Sequence, residues 1–465
     1  MTKSGGTHPD NPGIVVIGAG PVGLVAAMYL AREHGPVTVL EKRPDPRPLP
    51  HRAGRSITVM LSARGWHVLT DLGLAEAVRS VCVPIHGRRA HFLDGGSHTT
   101  PYSRDWQPIW SVERERLHRL LLDAAEADPG IRLRFGHRVR EVRLDEPAVV
   151  VGTAGGTATL PCRRVLGCDG AHSAARSALV AAYAERGGGP DGVREEVRTL
   201  GLAHQEIHVP AGWIDPWTMH YWPTGDGLFA AFPLPSGEFA GSLFLRVKGP
   251  APSYEALRDD DDLRALVAAR FPGPAAAIPD LGAQLARNRA ATITTVRCDR
   301  FRWRDRLALL GDASHAMAPF MGQGMNCGFE DARVLREALA STGDWESALA
   351  AYEESRTADA EAISYLSDQH YHTMANPPLE TENPARDALR ERLYALCPER
   401  FAPLYEQCAF TEESYATLLR EDRAFEELVD GLLRAHGPAL ASAPASTLSA
   451  RLAEVSTTRK DHRCS

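Results

Sequence analysis

The stretch Ile14-Val15-Val16-Ile17-Gly18-Ala19-Gly20-Pro21-Val22-Gly23-Leu24 constrains this chain more than any other part of it. Four consecutive β-branched residues predict a buried strand, a glycine turn follows, and an apolar pattern at helical spacing starts at Leu24. A second apolar run, Val37 to Leu40, leads into Glu41. Gly18 permits the tight turn, Gly20 lets backbone approach a pyrophosphate, and Gly23 lets helix pack closely on strand. Free N–H groups and the dipole at the helix start favour an anion there. Glu41, about twenty residues downstream, is placed to accept from a ribose hydroxyl. Together these predict a Rossmann-like unit that grips a dinucleotide, FAD or NAD.

With 465 residues the chain has room for two or three domains, each with its own core. A formal charge of −7 and a pI near 6.2 offer no basic field to nucleic acid or to an acidic membrane. The eight cysteines include no CxxC pair, which suits a reduced protein better than a disulfide scaffold or a zinc site, so no metal is expected. The start, residues 1–12, is polar and flexible in character, without an apolar leader. No run approaches the roughly twenty apolar residues of a membrane span. A cytoplasmic, multi-domain protein without a membrane anchor is expected, as monomer or homodimer.

The fold class expected is α/β. A discontinuous dinucleotide-binding domain takes residues 13–76, 107–180 and 288–370. An inserted β-sheet substrate domain takes 77–106 and 197–287. A C-terminal helical region covers 371–436, and an Ala/Ser/Pro-rich, flexible tail covers 437–465. Within these, Ser111–Leu122 has apolar residues at helical spacing, and 253–285 looks helical throughout. One long helical pattern runs from Gly328 to Ala375. The breaker-rich patch Glu185 to Gly192 marks a loop or crossing.

Two further motifs narrow the cofactor. Arg164-Val165-Leu166-Gly167-Cys168-Asp169-Gly170 joins a strand end to an Asp-Gly turn, with Ser173 and Arg176 opening a helix. Gly311-Asp312 ends another buried run, and Pro319-Phe320-Met321-Gly322-Gln323-Gly324-Met325-Asn326 leads into a helix near Met325. A carboxylate at a strand end can accept from a ribityl hydroxyl. A helix N-terminus can hold a flavin's electron-rich pyrimidine edge.

With three motifs in this order and spacing, the chain resembles the class A flavoprotein aromatic hydroxylases, the p-hydroxybenzoate hydroxylase fold. The resemblance implies FAD bound by Gly18, Gly20, Gly23, Glu41, Arg43, Arg114, Val139, Asp169, Gly170, Gly311, Asp312, Gly324, Met325 and Asn326. It also implies NADPH as a transient reductant, bound without a second Rossmann motif.

Several stretches resemble the kynurenine 3-monooxygenase family in particular. They are Gly54-Arg55-Ser56-Ile57, Pro84 to His91 followed by Pro101-Tyr102, His220-Tyr221-Trp222-Pro223, Leu234-Pro235 with Phe239, Gly328-Phe329-Glu330-Asp331 and Pro403-Leu404-Tyr405. The substrate implied is a small aromatic amino acid, kynurenine or a substituted kynurenine. Its carboxylate would meet Arg88, Tyr102, Tyr405 and His370, the last standing where the family has asparagine. Pro319, Phe320 and Gln323 would line the ring, and Phe239 would close the opposite wall. Met60 stands where a small residue is usual.

His91, His315 and His372 are expected to be structural. No catalytic side chain is implied. A C4a-hydroperoxyflavin formed with O2 would hydroxylate the ring ortho to its amine. Alternatives of the same fold are a hydroxylase of a phenolic or polyketide-like aromatic, a non-oxygenating flavin reductase, or a flavin redox sensor.

Overall fold

The computed structural model describes residues 13–48, 58–185, 192–375 and 383–460, with side chains to 454. The polar start, the motif Gly54-Arg55-Ser56-Ile57 and most of the glycine-rich patch at 186–191 lie outside the described residues. The chain divides into two units, 1–376 and 377–465.

In the first unit, Ile14–Ile17 and Val37–Leu40 are buried at every position. Such runs suit parallel strands covered on both faces. They sit centrally in a six-stranded sheet of order Arg302–Trp303, Leu307–Leu309, Arg164–Gly167, Ile14–Ile17, Val37–Leu40, Ile131–Arg134. All neighbours are parallel except the first pair. Parallel pairing brings the strand ends to one edge. There Gly18 N–H donates to Leu40 O, Cys168 N–H to Ile17 O, and Leu310 N–H to Gly167 O, at 2.8, 2.9 and 3.0 Å. Three motifs distant in sequence thus become adjacent turns, where open α/β sheets bind ligands.

A seven-stranded sheet has the order Ala291–Cys298, Glu195–Val209, Phe239–Arg246, Gly227–Pro233, Thr218–Pro223, Gly87–His91, Ser97–Pro101. Ala291–Cys298 pairs with Glu195–Val209, although the expected boundary at 288 assigned it to the dinucleotide domain. Cys82–Ile85, expected in the substrate domain, pairs instead with Ile109–Glu113 in a small separate sheet. One face of the large sheet packs on the helices Asp260–Arg270, Pro272–Ala277 and Leu281–Arg287. Phe229, Phe239, Leu243 and Phe271 lie in that core.

Cross-strand partners share a face. The register therefore lines up Arg88, Met219, Phe232 and Ala240 on the other face. Next to that line run Ala90, Tyr221, Ala230, Ser242 and Glu206.

The helical pattern from Gly328 is two helices, Gly324–Thr342 and Trp345–Ala375. They are separated at Gly343, whose φ of +75° needs glycine. The stretch 253–285 is one 3-10 turn and three short helices. Ser111–Leu122 is strand to Glu113 and helix from Arg114. Among the described residues, no helix is long and apolar enough to cross a membrane.

The second unit holds Pro384–Leu396, Leu404–Phe410, Tyr415–His436 and Ala445–Lys460. The flexible tail expected from 437 is corrected here. Leu440, Leu448 and Leu452 share a core with Leu389, Leu393 and Val429. Alanine and serine dilute this sparse leucine pattern, so composition hides a helix that tertiary packing stabilises. The boundary expected after 370 also moves, because the helix Trp345–Ala375 belongs to the first unit.

Leu448 is 1% exposed. Leu448→Ala should cost about 2–5 kcal/mol in the helical unit. Urea denaturation of the whole chain followed by circular dichroism checks this, and an unshifted helical transition would leave residues 438–454 outside the core.

Candidate active site

The three glycines of the first turn do different jobs. A Cβ on Gly18 (φ +101°) would stand 2.4 Å from Cys168 O, and one on Gly23 would stand 2.0 Å from Gly18 O. Both positions are closed to any side chain by backbone. A Cβ on Gly20 would meet nothing within 4 Å. Gly20 faces open space at the start of Pro21–His34, which carries no side-chain cap. This cradle fits a pyrophosphate on the helix N-terminus.

Glu41 is fixed at the strand end: Oε2 accepts Ala19 N–H at 3.1 Å and Oε1 accepts Arg43 N–H at 2.9 Å. Its remaining lone pairs suit ribose hydroxyls. His118, which sequence reasoning missed, donates from Nε2 to Ala19 O at 2.5 Å. Burial lowers its pKa, the Ala19 hydrogen bond opposing. Arg43 and Arg114 are exposed at the same edge, and Val139 is half-buried on Arg138–Arg143. His137 N–H donates to Glu41 O at 2.8 Å, which ties that strand's approach to the acid.

Asp169 works inside the protein. Its carboxylate accepts from Ser173 Oγ at 2.5 Å and from Ala174 and Ala175 N–H at 2.7 and 3.3 Å, capping the helix Ala174–Glu185. Burial raises its pKa against these hydrogen bonds. The carboxylate thereby positions the turn in which the cofactor contact is expected, and Gly170 (φ +81°) makes that turn. Arg176 is 3% exposed and joins the motifs, donating to Ala171 O at 2.7 Å and Ala313 O at 2.8 Å.

The Gly311-Asp312 turn rests on a buried ion cluster. Asp331 Oδ2 accepts Gly311 N–H at 2.8 Å and His315 Nε2 at 2.6 Å, while Oδ1 accepts Arg356 Nε at 2.8 Å. Arg356 also reaches Glu330 at 2.8 Å, and Arg64 Nε bonds both Glu330 oxygens at 3.1 Å. Asp312 itself is exposed, its carboxylate open to a ribityl hydroxyl.

Burial alone would strip the proton from His315; Asp331 and Cys327 overcome it and raise its pKa well above the ordinary value. Burial alone would raise Asp331; His315 and Arg356 bring it down to about 2. The liganding atoms of His315, Cys327 and Asp331 lie within 4.8 Å of one another, the spacing of a metal site. Arg356 already supplies the cation, with Nη2 3.1 Å from Cys327 Sγ. A charged residue amid the buried positions Tyr352, Ala360 and Ile363 was the sequence signal for this cluster.

Pro319–Met321 forms a 3-10 turn, Gly322 (φ +66°) reverses the chain, and Gly324 begins the long helix, with Met325 half-buried. Asn326 is fully buried. Its Nδ2 donates to Met60 O at 2.7 Å and Gly322 O at 3.0 Å, and its Oδ1 accepts Ser62 N–H at 3.0 Å. Its side chain thus locks two loops together, so a cofactor contact at this position would fall to its backbone. A Cβ on Gly65 would stand 2.3 Å from Asn326 Oδ1, so that neighbour must stay glycine. Met60 lies against the reversal, its Cβ 3.3 Å from where one on Gly322 would be.

On the open sheet face, Arg88 Nη1 lies 2.7 Å from His370 Nε2. Arginine can only donate, so His370 accepts through Nε2 and carries its proton on Nδ1. Burial first, and the Arg88 charge second, lower the His370 pKa to about 3. His370 therefore anchors Arg88. Tyr102 is buried just after Ser97–Pro101, its N–H on His86 O at 3.1 Å.

Phe320 packs on Phe244 and Tyr371, with ring centroids 5.2 and 4.6 Å apart, and Gln323 is buried beside it in sequence. Phe239 is on the other face, 6.0 Å from the His220 ring and within the core behind the sheet. The wall expected of it is corrected by strand parity: Phe232, Ala240 and Phe244 face the site. His91 stacks on Trp222 at 4.6 Å on the Phe239 side. Tyr405 belongs to the second unit, in the helix Leu404–Phe410.

A family model described as the FAD binding domain matches residues 13–367. The kynurenine 3-monooxygenase of Salinispora arenicola is 36% identical over 445 residues, covering 92% of this chain and 96% of that protein. That of Myxococcus xanthus is 34% identical over 434 residues, covering 91% and 92%. Among solved structures, 2-methyl-3-hydroxypyridine-5-carboxylic acid oxygenase superposes with a TM-score of 0.63 at 19% identity, covering 80% of this chain and 94% of that one. The p-nitrophenol 4-monooxygenase of Pseudomonas putida gives 0.62 at 20%, covering 90% and 98%. At such identities the structures show the fold.

Gly20→Ala should leave the apoprotein's melting temperature unchanged while weakening dinucleotide binding, whereas Gly23→Ala should damage the fold itself. Thermal melts with fluorescence titration of FAD separate the two, and equal destabilisation by both would contradict the cradle.

Asp331→Ala should cost about 3–5 kcal/mol, the usual penalty for orphaning a buried charge. The His315 contribution, from a raised pKa, is complete below the unfolded value near 6.5 and is lost as pH rises through the folded value. The Asp331 contribution is present above about 3.8 and is lost as pH falls through the folded value. Stability from this pair should peak between about pH 4 and 6.5 and decline toward alkali. Melting curves across pH should lose that alkaline decline in Asp331→Asn.

Proposed function

The chain belongs to the kynurenine 3-monooxygenase family of FAD-dependent monooxygenases, and from that premise we propose that it hydroxylates kynurenine or a ring-substituted kynurenine, with NADPH as reductant. The observation that carries this reading is the Arg88–His370 pair on the open face of the substrate sheet. A guanidinium that meets a neutral acceptor, not a carboxylate of the protein, at this contact keeps its positive charge available to a substrate carboxylate.

When bound, FAD supplies the activated oxygen that is transferred to the substrate ring. Glu41, Asp312 and the Gly20 turn hold it, and Asp331 sets the position of the Gly311 turn. Arg88, with Tyr102 beside it, takes the amino-acid carboxylate and orients the ring over Ala230 and Ser242. These small residues leave room for a flat ring between Tyr221 and Glu206. Phe320 supplies an aromatic wall and keeps water from the reacting carbon. The ring's own amine activates the carbon beside it, so no strong protein base is required.

Kynurenine should accelerate NADPH oxidation by the FAD-loaded protein and yield a product heavier by one oxygen atom. Oxidation that releases only peroxide, or a product only from phenols, would overturn the substrate assignment.

Arg88→Ala should raise the kynurenine KM about ten- to a hundredfold, each charge-assisted hydrogen bond contributing about 1.5–3 kcal/mol, with FAD affinity unchanged. His370→Ala should follow in the same direction, and His370→Asn, which keeps an acceptor, should recover most of the loss. With its pKa near 3, His370 should place no inflection between pH 5 and 8 in the kcat/KM profile.

A further inference from the structure

The Rossmann motif is committed to one dinucleotide and the sequence holds no second one, so the reductant needs another docking place. A cavity of about 590 Å3 opens behind Phe320, lined by Arg246, Lys248, Asp226, Asp368 and Tyr371 among others. We propose that this cavity docks the pyridine dinucleotide reductant, with Arg246 and Lys248 on its phosphates and Phe320 and Tyr371 against one of its flat rings. The proposal rests on NADPH as the reductant of the reaction above.

Charge favours an anion here. Asp226 is neutralised by Arg270, with contacts of 2.5 and 2.7 Å, and Asp368 by Arg297 at 3.0 Å. Glu255, near the Lys248 side, accepts Gly249 N–H at 2.9 Å. Four cations therefore stand against three carboxylates, in a chain whose formal charge is −7. Arg246 Nε is buried without a hydrogen-bond partner among the described residues, and its Nη2 reaches only Pro250 O at 3.3 Å. The side chain is half-buried, and a buried N–H left without an acceptor is costly unless a ligand completes it.

Space and position agree with charge. The register of Glu195–Val209 shifts between Thr199 and Ala203, and Gly201 (φ +71°) bends the strand away beside Arg246. Phe320 and Tyr371 offer a tilted aromatic pair at 4.6 Å. Phe320 belongs to the turn that leads into the helix at Gly324, so the cavity borders the flavin-facing segment. An aromatic acid shares this chemistry on a smaller scale, and the test separates the two.

The FAD-loaded full chain is mixed anaerobically with NADPH in the presence of kynurenine, and flavin bleaching is followed. Arg246→Gln with Lys248→Gln should raise the half-saturating NADPH about tenfold or more and flatten its salt dependence. The limiting reduction rate, kynurenine affinity and FAD content should stay unchanged. Lys248→Glu, at an exposed position, should act in the same direction without risk to folding. Half-saturation unchanged in all variants overturns the docking site alone. Kynurenine affinity falling in step assigns the cavity to the aromatic acid and likewise overturns it. A wild type that neither NADPH nor NADH reduces overturns the functional reading and this proposal with it.

Discussion

A single buried carboxylate, Asp331, fixes the geometry on which the flavin site depends. Its two oxygens collect the Gly311 N–H, the His315 ring and the Arg356 guanidinium, which come from a turn, a short helix and a long helix. Taking such charges out of water costs several kcal/mol per ion, so the arrangement persists only because every partner is present with good geometry. The return is directional. A hydrophobic contact at this point would let the Gly311 turn slide, whereas three donors converging on one carboxylate hold it in register with Gly18 and Gly20. Glu330 extends the lock through Arg64 to the helix Ala63–Asp71, whose first turn Asn326 also grips.

Around that lock the two large sheets have different tasks. The parallel sheet gathers strand ends, because parallel pairing points all C-termini one way, and the cofactor turns follow from that. The seven-stranded sheet instead divides its residues by parity. Phe229, Phe239 and Leu243 close a core on one side, while Arg88, Tyr221, Ser242 and Glu206 share the opposite face. His370 then reaches that face from the helix Trp345–Ala375 and holds Arg88. Residues 282 apart in sequence are in this way brought together at one end of that face.

Legibility in the sequence tracked how local each physical cause was. Gly18, Gly20, Gly23 and Glu41 were readable, because a strand–turn–helix fingerprint is written within about thirty residues. Asp169 and Asn326 were recognised as important, but only the folded chain shows their side-chain partners: Asp169 accepts from Ser173 and caps the helix after it, and Asn326 joins Met60 to Ser62. Phe239 was misplaced because a strand's facing depends on register, which sequence pattern leaves open when both faces are apolar. The helix at Ala445–Lys460 was hidden by composition, its two leucines too sparse to announce a core that other helices provide.

By itself the sequence determined the chemistry available: a dinucleotide cradle and a flavin-type trio of turns. Tertiary structure alone decided which of those groups face a ligand and which are consumed within the protein. The side chains of Arg356, Asp331 and Asn326 are spent on the fold, while Asp312 is left exposed. The reason is that hydrogen-bonding capacity belongs to the residue, but whether a neighbour satisfies it is settled only when distant segments are packed together.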